Sequence, residues 1–424
     1  MKIIQSKSIP GHFFEFGSDE KLDAVSPILD DVRQHGDVAV KKYTRQFDKT
    51  DLLTLSVLSS EIELAYKEVD AATVKAMQQI TENIRKFAEK QRTQITDFEY
   101  EIEPGVFTGQ RVTPLERVGV YVPGGNFPLI STLLMGAIPA TVAGVPEICV
   151  VSPPTWHGEI HPAILVAADI AGITEIYKIG GVQAIAALAY GTESIKRVDK
   201  IVGPGNKYVA QAKREVFGAV SIDMIAGPTE ILIIADDSAD PEIIAADLLA
   251  QAEHDVDARP VLITTSENLA NAVVLAVKKQ LQTLSTRATA EQSIENNGII
   301  ILVENLSEAA KISNRKAPEH LEIQVNEPIN FSKQLTNFGS LFIGQNSAEV
   351  LGDYSSGLNH TLPTNTTARY RGGLSVYDFL KICTTLRTTE TGLKKIGPVA
   401  ETMGNAEGLA GHARSVRIRL DKLA

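Results

Sequence analysis

The amino-acid sequence predicts an α/β protein with two doubly wound, Rossmann-like domains, each built on a parallel sheet. Three observations lead to this fold class. The chain has 424 residues, well above the roughly 250–300 at which a single hydrophobic core stops growing. From about Arg117, short β-branched runs alternate with longer helical patterns. These runs are apolar on both faces, which is typical of parallel strands covered by helices on both sides.

The first part of this alternation predicts four strands, each followed by a helix. The strands are predicted at 117–122, 147–152, 175–180 and 200–203, and the helices at 129–144, 161–171, 182–191 and 206–218. Three of the joining turns are rich in glycine, at 124–125, 180–181 and 203–206. Such turns point backbone N–H groups and a helix N-terminus at a ligand, which favours phosphate. The G-x-G-x-x-G fingerprint is incomplete because Tyr208 occupies its third glycine position, so simple tight turns explain the glycines equally well.

The second part of the alternation predicts five more strands. They lie at 230–236, 259–266, 298–304, 320–325 and 339–344, with helices such as 239–253 and 266–283 between them. The segment before Arg117 is predicted to be mostly helical, because apolar residues in 26–47 recur at helical spacing. After about Gly373 we expect helix and one terminal edge strand, at Arg414–Arg419. That tail is too small for its own core and should pack on something else, such as a second subunit.

Composition excludes several classes of partner. The net charge of −11 argues against nucleic acid, because neutralising phosphates requires clustered Lys and Arg. The most apolar stretch, 129–145, is broken by glycine and proline and is shorter than the roughly 20 residues of a membrane-spanning helix. The N-terminus lacks the apolar core of a signal peptide. Two cysteines, Cys149 and Cys383, fit a reducing compartment. The sequence therefore predicts a cytoplasmic protein that binds neither membrane nor nucleic acid.

Four of the eight histidines lie beside carboxylates or amides at predicted element boundaries. The residues of these pairings are Gln251, Glu253, His254, Glu319, His320, Asp353, His360, Glu407 and His412. Gln251 and His254 are three residues apart, so they share one face of a helix and could form half of a metal site. A solvated helix end is the alternative, and by residue type Glu253 would be the more usual zinc ligand. Glu319 beside His320 offers an acid/base pair, which favours metal-assisted proton transfer.

Taken together, the chain resembles the histidinol dehydrogenase family over essentially its full length. The strongest similarity is the run from "VDKIVGPGNKYVAQAKREVFG" through "SIDMIAGPTEILIIAD". The other motifs follow in the family's order: "VYVPGG", "GGVQAIAALAYGT", "AQAEHD", "APEH", "GDYSSGLNHTLPT" and "EGLAGHARSV". The resemblance implies oxidation of L-histidinol to L-histidine through a bound aldehyde, with two NAD molecules used in sequence.

The resemblance also implies roles for individual residues. The implied zinc ligands are Gln251, His254, Asp353 and His412. Glu319 would activate the water that hydrates the aldehyde, and His320 would move protons in both oxidations. The implied substrate contacts, beyond these ligands and His320, are Thr229, His360 and Glu407, and the implied NAD contacts are Tyr121, Gln183 and Asn206. The family's dimers are intertwined, so the tail with Glu407 and His412 would complete the partner's active site.

The expected domain division follows from the elements and the resemblance together. It comprises an N-terminal segment (1–20), a discontinuous domain with the zinc and Glu–His motifs (21–119 and 230–373), an inserted NAD-binding domain (120–229) and a dimer-exchanging tail (374–424). Asn126–Phe127, the run 369–376 and Thr229 depart from the family's usual residues. They leave open a related dehydrogenase of another small polar alcohol, such as a sulfonated diol. A zinc hydrolase, in which Glu319 would activate metal-bound water without any nicotinamide, is a further alternative. A non-catalytic metal-dependent assembly module is another, but it would leave the Glu319–His320 pair without a purpose.

Overall fold

A computed structural model of the protein describes residues 1–15, 22–124 and 128–423. The Gly-rich turn at 124–125 is thus described only through Gly124, and Asn126–Phe127 lie outside the described residues. The strands are β1 (Lys2–Gln5), β2 (Phe98–Glu103), β3 (Val106–Pro114), β4 (Arg117–Tyr121), β5 (Glu147–Ser152), β6 (Glu175–Lys178), β7 (Lys200–Val202), β8 (Ser221–Ile222), β9 (Glu230–Ala235), β10 (Arg259–Thr264), β11 (Ile299–Leu302), β12 (His320–Gln324), β13 (Ser340–Ile343) and β14 (Leu380–Thr388). The helices are α1 (Val25–Asp48), α2 (Ser59–Ala65), α3 (Ala71–Arg92), α4 (Ile130–Ala143), α5 (Pro162–Ile170), α6 (Gly181–Tyr190), α7 (Lys207–Val216), α8 (Pro241–Ala252), α9 (Glu267–Leu281), α10 (Arg287–Asn297), α11 (Leu306–Lys316), α12 (Pro328–Ser332), α13 (Glu349–Tyr354), α14 (Glu390–Ala406) and α15 (Ala410–Asp421).

Two parallel sheets form the body of the molecule, which confirms the predicted α/β class. One has six strands in the order β1-β11-β10-β9-β12-β13, and the other has five in the order β6-β5-β4-β7-β8. Every pairing within these two sheets is parallel. The central strands β9 and β4 are buried along their whole length, as apolar character on both faces predicts. The N-terminal strand β1, which the sequence did not reveal, pairs with β11 at one edge.

Local sequence signals begin and end the helices that return between strands. Asp240 caps α8 by accepting a hydrogen bond from the N–H of Glu242, and Pro241 occupies the first turn. Asn206 caps α7 through the N–H groups of Tyr208 and Val209. Helix α4 stops at Gly144, whose φ of 90° is one that residues with a side chain rarely adopt. These boundaries position the ends of α7 and α8, both of which lie near the site described below.

The helices of the N-terminal region pack on the five-stranded sheet. Val32 of α1 shares a core with Ile185 of α6, and Ile84 of α3 shares a core with Leu134 of α4. The apolar faces of α1 and α3 thus meet the helices of the five-stranded sheet. The expected domain division, with 21–119 grouped with 230–373, stays a prediction. The six-stranded sheet has its own cores, built largely from 230–335.

The tail differs from its prediction. Arg414–Arg419 lies inside helix α15, not in an edge strand. Gly397 of α14 lies close to Val416 and Leu420 of α15, which are four residues apart and therefore share one face of that helix. The alternation of arginines with apolar residues was misread as a strand pattern. The strand of the tail is β14, which joins β3 and β2 in an antiparallel sheet that the sequence did not predict. No helix in the described ranges is long and apolar enough to cross a membrane.

Candidate active site

A cavity of about 190 Å³ lies where the two parallel sheets face each other. On the side of the six-stranded sheet, the cavity is lined by the residue before β9, the start of β12 and the end of α8. On the side of the five-stranded sheet, it is lined by the turn after β7 and the start of α4. Its polar lining includes Ser131, Thr132, Lys213, Asp223, Thr229, Gln251, His254, Glu319, His320, Asp353, His360, Thr361 and Thr364. Seven residues selected from the sequence for the metal, the substrate or catalysis therefore meet in one place.

Glu319 is held at the cavity by two donors. Its Oε2 accepts a hydrogen bond from the Thr229 hydroxyl at 2.6 Å and from the N–H of Glu230 at 2.8 Å. Burial raises the pKa of this carboxyl well above its usual value, although these hydrogen bonds act in the opposite direction. A carboxyl of this kind is a stronger base than an exposed glutamate. The sequence-based role for Glu319 as a proton acceptor thus has a physical cause.

The same hydrogen-bond chain fixes the amide of Gln251. The Thr229 hydroxyl gives its one proton to Glu319, so it must accept from Gln251, whose Nε2 lies at 2.7 Å. The amide oxygen then points the other way, and this buried Oε1 has no hydrogen-bond partner among the described residues. An unpartnered amide oxygen in the interior is costly unless something else binds it. Gln251 therefore has the form of a metal ligand.

His320 lies beside Glu319 with its ring nitrogens in different surroundings. Nδ1 is 3.2 Å from the carbonyl oxygen of Glu230, which can only accept, so Nδ1 carries the proton. Nε2 is left as the basic nitrogen, 3.2 Å from Oε1 of Glu349. Burial lowers the pKa of His320 from its ordinary value, so the neutral ring predominates at pH 7. A neutral imidazole with a defined tautomer is suited to accept a proton.

Two further candidate ligands, His254 and Asp353, come from the end of α8 and from α13. The His254 side chain is exposed to the cavity. The protein that surrounds the ring nevertheless removes part of its water, and this desolvation lowers the pKa of His254. Asp353 is buried in α13, where desolvation and the neighbouring Glu349 raise its pKa to about 7. Glu253, the ligand that residue type favoured, hydrogen-bonds to Thr286 at 2.5 Å instead. Gln251 therefore lines the cavity together with His254, whereas the Glu253 carboxyl is bonded to Thr286.

Glu349 is a site residue that sequence reasoning missed. Its carboxyl is 3% exposed and lies with His320 and Asp353 in a group whose possible ligand atoms are all within 4.8 Å of one another. Desolvation raises its pKa to about 7. One signal was available: Glu349 stands four residues before Asp353, so both share one face of a helix. The residue was missed because no helix was predicted over α13.

His360 lies deeper, against the five-stranded sheet. Its Nε2 is 3.1 Å from the hydroxyl of Ser131, at the start of α4. Burial lowers its pKa to about 4, so it is neutral at every pH near neutrality. The histidine connects the chain after α13 with the helix after β4. It can offer the cavity a hydrogen bond without a charge.

The glycine-rich turns of the five-stranded sheet hold the three residues expected to contact NAD. The hydroxyl of Tyr121 accepts a hydrogen bond from the N–H of Gly181 at 3.1 Å, and burial raises its pKa to about 12. Gln183 is buried in the first turn of α6, and its Oε1 has no partner among the described residues. Asn206 is occupied as the cap of α7. All three lie at the carboxyl ends of strands, where nucleotides usually bind in such sheets.

A buried ion pair that the sequence did not reveal shapes the third turn. Asp223 accepts the N–H of Gly203 at 2.7 Å, and Lys213 donates to the carbonyl oxygen of Gly203 at 2.9 Å. The same lysine and aspartate also bond to each other. Gly203 has a φ of +114°, and a Cβ there would meet the carbonyl of Tyr121 at 2.0 Å, so only glycine fits. The pair thus holds a strained turn at the edge of the cavity.

Glu407 and His412 do not reach this cavity in the single chain. They line a separate surface hollow between α14 and α15 with residues such as Met403 and Leu409. A second, larger hollow of about 420 Å³ adjoins the cavity instead and shares Leu129, His254 and Asp353 with it. Of the four residues expected to bind zinc, three line one cavity and the fourth lies on the tail.

Comparisons with known proteins agree on one family. The family model for histidinol dehydrogenase matches residues 15–420. Among curated relatives, the histidinol dehydrogenase of Geobacillus kaustophilus is 48% identical over 408 residues, covering 96% of each chain. That of Lactiplantibacillus plantarum is 49% identical over 398 residues, covering 94% of this chain and 92% of the relative. A crystal structure of histidinol dehydrogenase from Elizabethkingia anophelis superposes with a TM-score of 0.95 at 39% identity, covering 100% of this chain and 98% of the other. The chain belongs to the histidinol dehydrogenase family, whose members are NAD-dependent oxidoreductases acting on an alcohol and an aldehyde.

Proposed function

We propose that the protein is a zinc- and NAD-dependent L-histidinol dehydrogenase, which oxidises L-histidinol to L-histidine through bound L-histidinaldehyde. One observation carries the proposal: Glu319 and His320 are buried side by side and face the same cavity as Gln251, His254 and Asp353. Two different bases next to a candidate metal site match a reaction with two oxidations and a hydration between them. Family membership adds the substrate, because the curated relatives above carry the name histidinol dehydrogenase.

The donor set of the cavity fits zinc. Gln251 offers an unpartnered amide oxygen, His254 an imidazole and Asp353 a carboxylate, and zinc accepts nitrogen and oxygen ligands. When bound, the metal would fix the position of the substrate's amine and imidazole nitrogens. His412 would complete the ligands.

NAD would bind at the carboxyl edge of the five-stranded sheet. Tyr121, Gln183 and Asn206 lie there, next to the N-termini of α6 and α7, whose N–H groups favour phosphate. When bound, NAD would accept the hydride that leaves the substrate carbon. The hollow of about 420 Å³ supports this placement, because it runs from Gly124 on that sheet to His254 and Asp353.

The chain's own residues account for the protons. Nε2 of His320, neutral at pH 7, would accept the hydroxyl proton of the alcohol while hydride leaves carbon. Glu319 would then take a proton from the water that adds to the aldehyde. Hydration is needed because the hydrate again offers a C–H and an O–H for the second oxidation. Thr229 and the N–H of Glu230 keep the Glu319 carboxyl aimed at the cavity throughout.

The tail would act across a dimer. Glu407 and His412 lie apart from the cavity within one chain, while β14, α14 and α15 expose large apolar residues, among them Ile382, Leu386, Val399, Met403 and Ile418. An exposed apolar surface of this kind is typical of an interface. Glu407 of the partner subunit would contact substrate, and His412 of the partner subunit would complete the metal ligands. Thr229 and His360 would contact substrate from within the chain.

The test is an assay of the purified protein with L-histidinol and NAD, counting NADH against histidine. Two NADH formed for each histidine are expected, and a chelator followed by zinc should abolish and restore the turnover. A panel of other small polar alcohols, including a sulfonated diol, is the control for substrate class. Turnover of a sulfonated diol without turnover of histidinol would contradict the proposed substrate. Turnover without NAD would contradict the reaction class.

A further inference from the structure

Glu349 has no role in the function proposed above, yet it is the nearest carboxyl to the base nitrogen of His320. Its Oε1 lies 3.2 Å from His320 Nε2, and neither atom has an aligned hydrogen bond to any other described residue. Both side chains are almost fully buried. Catalytic hydrogen bonds are often poorly aligned until substrate binds. A buried ring nitrogen and a buried carboxyl oxygen that lie 3.2 Å apart, with no hydrogen-bond partner among the described residues, require an explanation.

The backbone holds the other side of the ring. Nδ1 is tied to the carbonyl oxygen of Glu230, whose strand β9 pairs with β12 at His320. The ring can still pivot about this single contact. Once Nε2 accepts a proton, its N–H can donate to the Glu349 carboxyl, and the two contacts on opposite nitrogens would then fix the orientation of the ring.

Helix α13 is itself fixed in place. Gly352 packs so closely on Phe342 of β13 that an added Cβ would lie 2.7 Å from the ring. The same ring lies with its centroid 6.2 Å from that of His320. One turn of α13 thus carries Glu349 and Asp353 on one face and Gly352 against the sheet. The position of Glu349 is set by the same packing that surrounds His320.

We propose that Glu349 is a positioning residue for His320: it holds the Nε2 edge of the ring and faces the positive charge that the ring acquires on accepting a proton. The proposal rests on the function proposed above, in which His320 is the base. In many enzymes a further side chain contacts the catalytic base and holds it in the orientation that proton transfer needs. Glu349 would make this kind of contact with His320. Because Glu349 shares α13 with Asp353, one short helix would align the base with a metal ligand.

The experiment is Glu349→Gln in the full-length protein, a change that keeps shape and removes the carboxylate. We expect kcat to fall about 10- to 100-fold, a part of the about 10²- to 10⁴-fold that a general base supplies. The KM for histidinol should change less than about threefold, because ground-state binding is not the target. The zinc content should equal that of the wild type. Glu349→Asp, which keeps a shorter carboxylate, should lose less, and it also serves if the Gln variant folds poorly.

Two measurements separate positioning from other roles. In a double-mutant cycle with His320→Asn, Glu349→Gln should have almost no further effect, since it acts only through His320. Glu322→Gln is the matched control: it is a buried carboxyl two residues along the same strand whose hydrogen bond comes from Gln324, and it should keep kcat within about threefold.

Three outcomes overturn the inference. An additive double-mutant cycle would show that Glu349 works independently of His320. Loss of zinc in Glu349→Gln would make Glu349 a metal ligand or a support of one. An unchanged kcat would show that the contact has no role in turnover. Each of these three outcomes is judged in variants of an enzyme whose wild type is active, and refutes the inference about Glu349. An inactive wild type would refute the proposed function itself.

Discussion

The two parallel sheets contribute opposite edges to the candidate site. The five-stranded sheet offers its carboxyl edge, with turns after β4, β6 and β7 that are rich in glycine and lead into helix N-termini. The six-stranded sheet offers its amino edge: Thr229 precedes β9, His320 begins β12, and Gln251 lies at the end of the returning helix α8. One edge supplies backbone N–H groups and space, and the other supplies titratable side chains.

This difference shows what each edge of a parallel sheet can do. At the carboxyl edge, helix N-termini converge and favour the phosphates of a dinucleotide. At the amino edge, helices end, so nothing there favours an anion. Burial at that edge instead perturbs side chains, raising the pKa of Glu319 and lowering that of His320. We infer a division in which one sheet binds the cofactor and the other performs the proton chemistry.

The largest expected effect is a loss of kcat after a substitution at the amino edge of the six-stranded sheet. His320→Asn should lower kcat about 10²- to 10⁴-fold, because it removes the general base. Zinc content and the affinity for NAD should stay near wild type, because His320 is not among the proposed ligands or the NAD contacts. Steady-state kinetics, metal analysis and NAD titration check the three expectations together.

His35→Asn is the matched control for this change, since His35 is an exposed histidine on α1 that pairs with Asp31. It should leave all three quantities unchanged. If His320→Asn retained wild-type turnover, the six-stranded sheet would not hold the base, and the division between the edges would fail.

A smaller effect is expected at the carboxyl edge. Tyr121→Phe removes the oxygen that accepts from the N–H of Gly181 and leaves a buried donor unsatisfied. The KM for NAD should rise about 3- to 10-fold with kcat changed less than about twofold, the pattern of lost uniform binding. Tyr177→Phe is the control, because the hydroxyl of Tyr177 bonds to Glu175 and to the carbonyl of Ser194. A fall in kcat with constant KM in Tyr121→Phe would contradict cofactor binding at this edge.

The last expected effect concerns stability, at the contact between α8 and the end of β12 in the six-stranded sheet. Burial raises the pKa of Asp247 from 3.8 to about 6, so the native state holds this proton more tightly than the unfolded chain. Wild-type stability should therefore fall, relative to Asp247→Asn, as pH rises from about 4 to about 6, by about 1 to 3 kcal/mol. Above pH 7 the difference should be constant. Thermal unfolding of both proteins across pH 4–8 measures it, and a difference that is independent of pH would show that Asp247 carries no such shift.

Much of the fold was readable from local sequence. The strand predicted at 147–152 coincides with β5, and those predicted at 117–122 and 230–236 each match a strand to within one residue. These strands are buried on both faces, so their composition is unambiguous. The failures lie where burial is slight: β2 is exposed along its length, and Arg414–Arg419 reads as a strand although it lies in a helix. Exposed elements leave a weaker pattern because solvent tolerates most residue types.

The residues of the candidate site also fall into those that the sequence predicted and those that it missed. Residue types and spacings selected nine residues in four pairings, among them Glu319 with His320 and Gln251 with His254, and the family resemblance supplied their roles. Residue type ranked Glu253 above Gln251 as a zinc ligand, whereas the family resemblance implied Gln251; in the structure Glu253 accepts a hydrogen bond from Thr286. Sequence reasoning missed Glu349, since nothing near that residue in the sequence announces a partner 29 positions away.

By itself, then, the sequence determined which segments form strands and helices and which side chains have reactive groups, since periodicity and residue type are local properties. The tertiary structure alone decided which edges meet, which way the Gln251 amide points and what Nε2 of His320 faces. Those facts depend on contacts between segments up to 229 residues apart, and long-range packing sets such contacts.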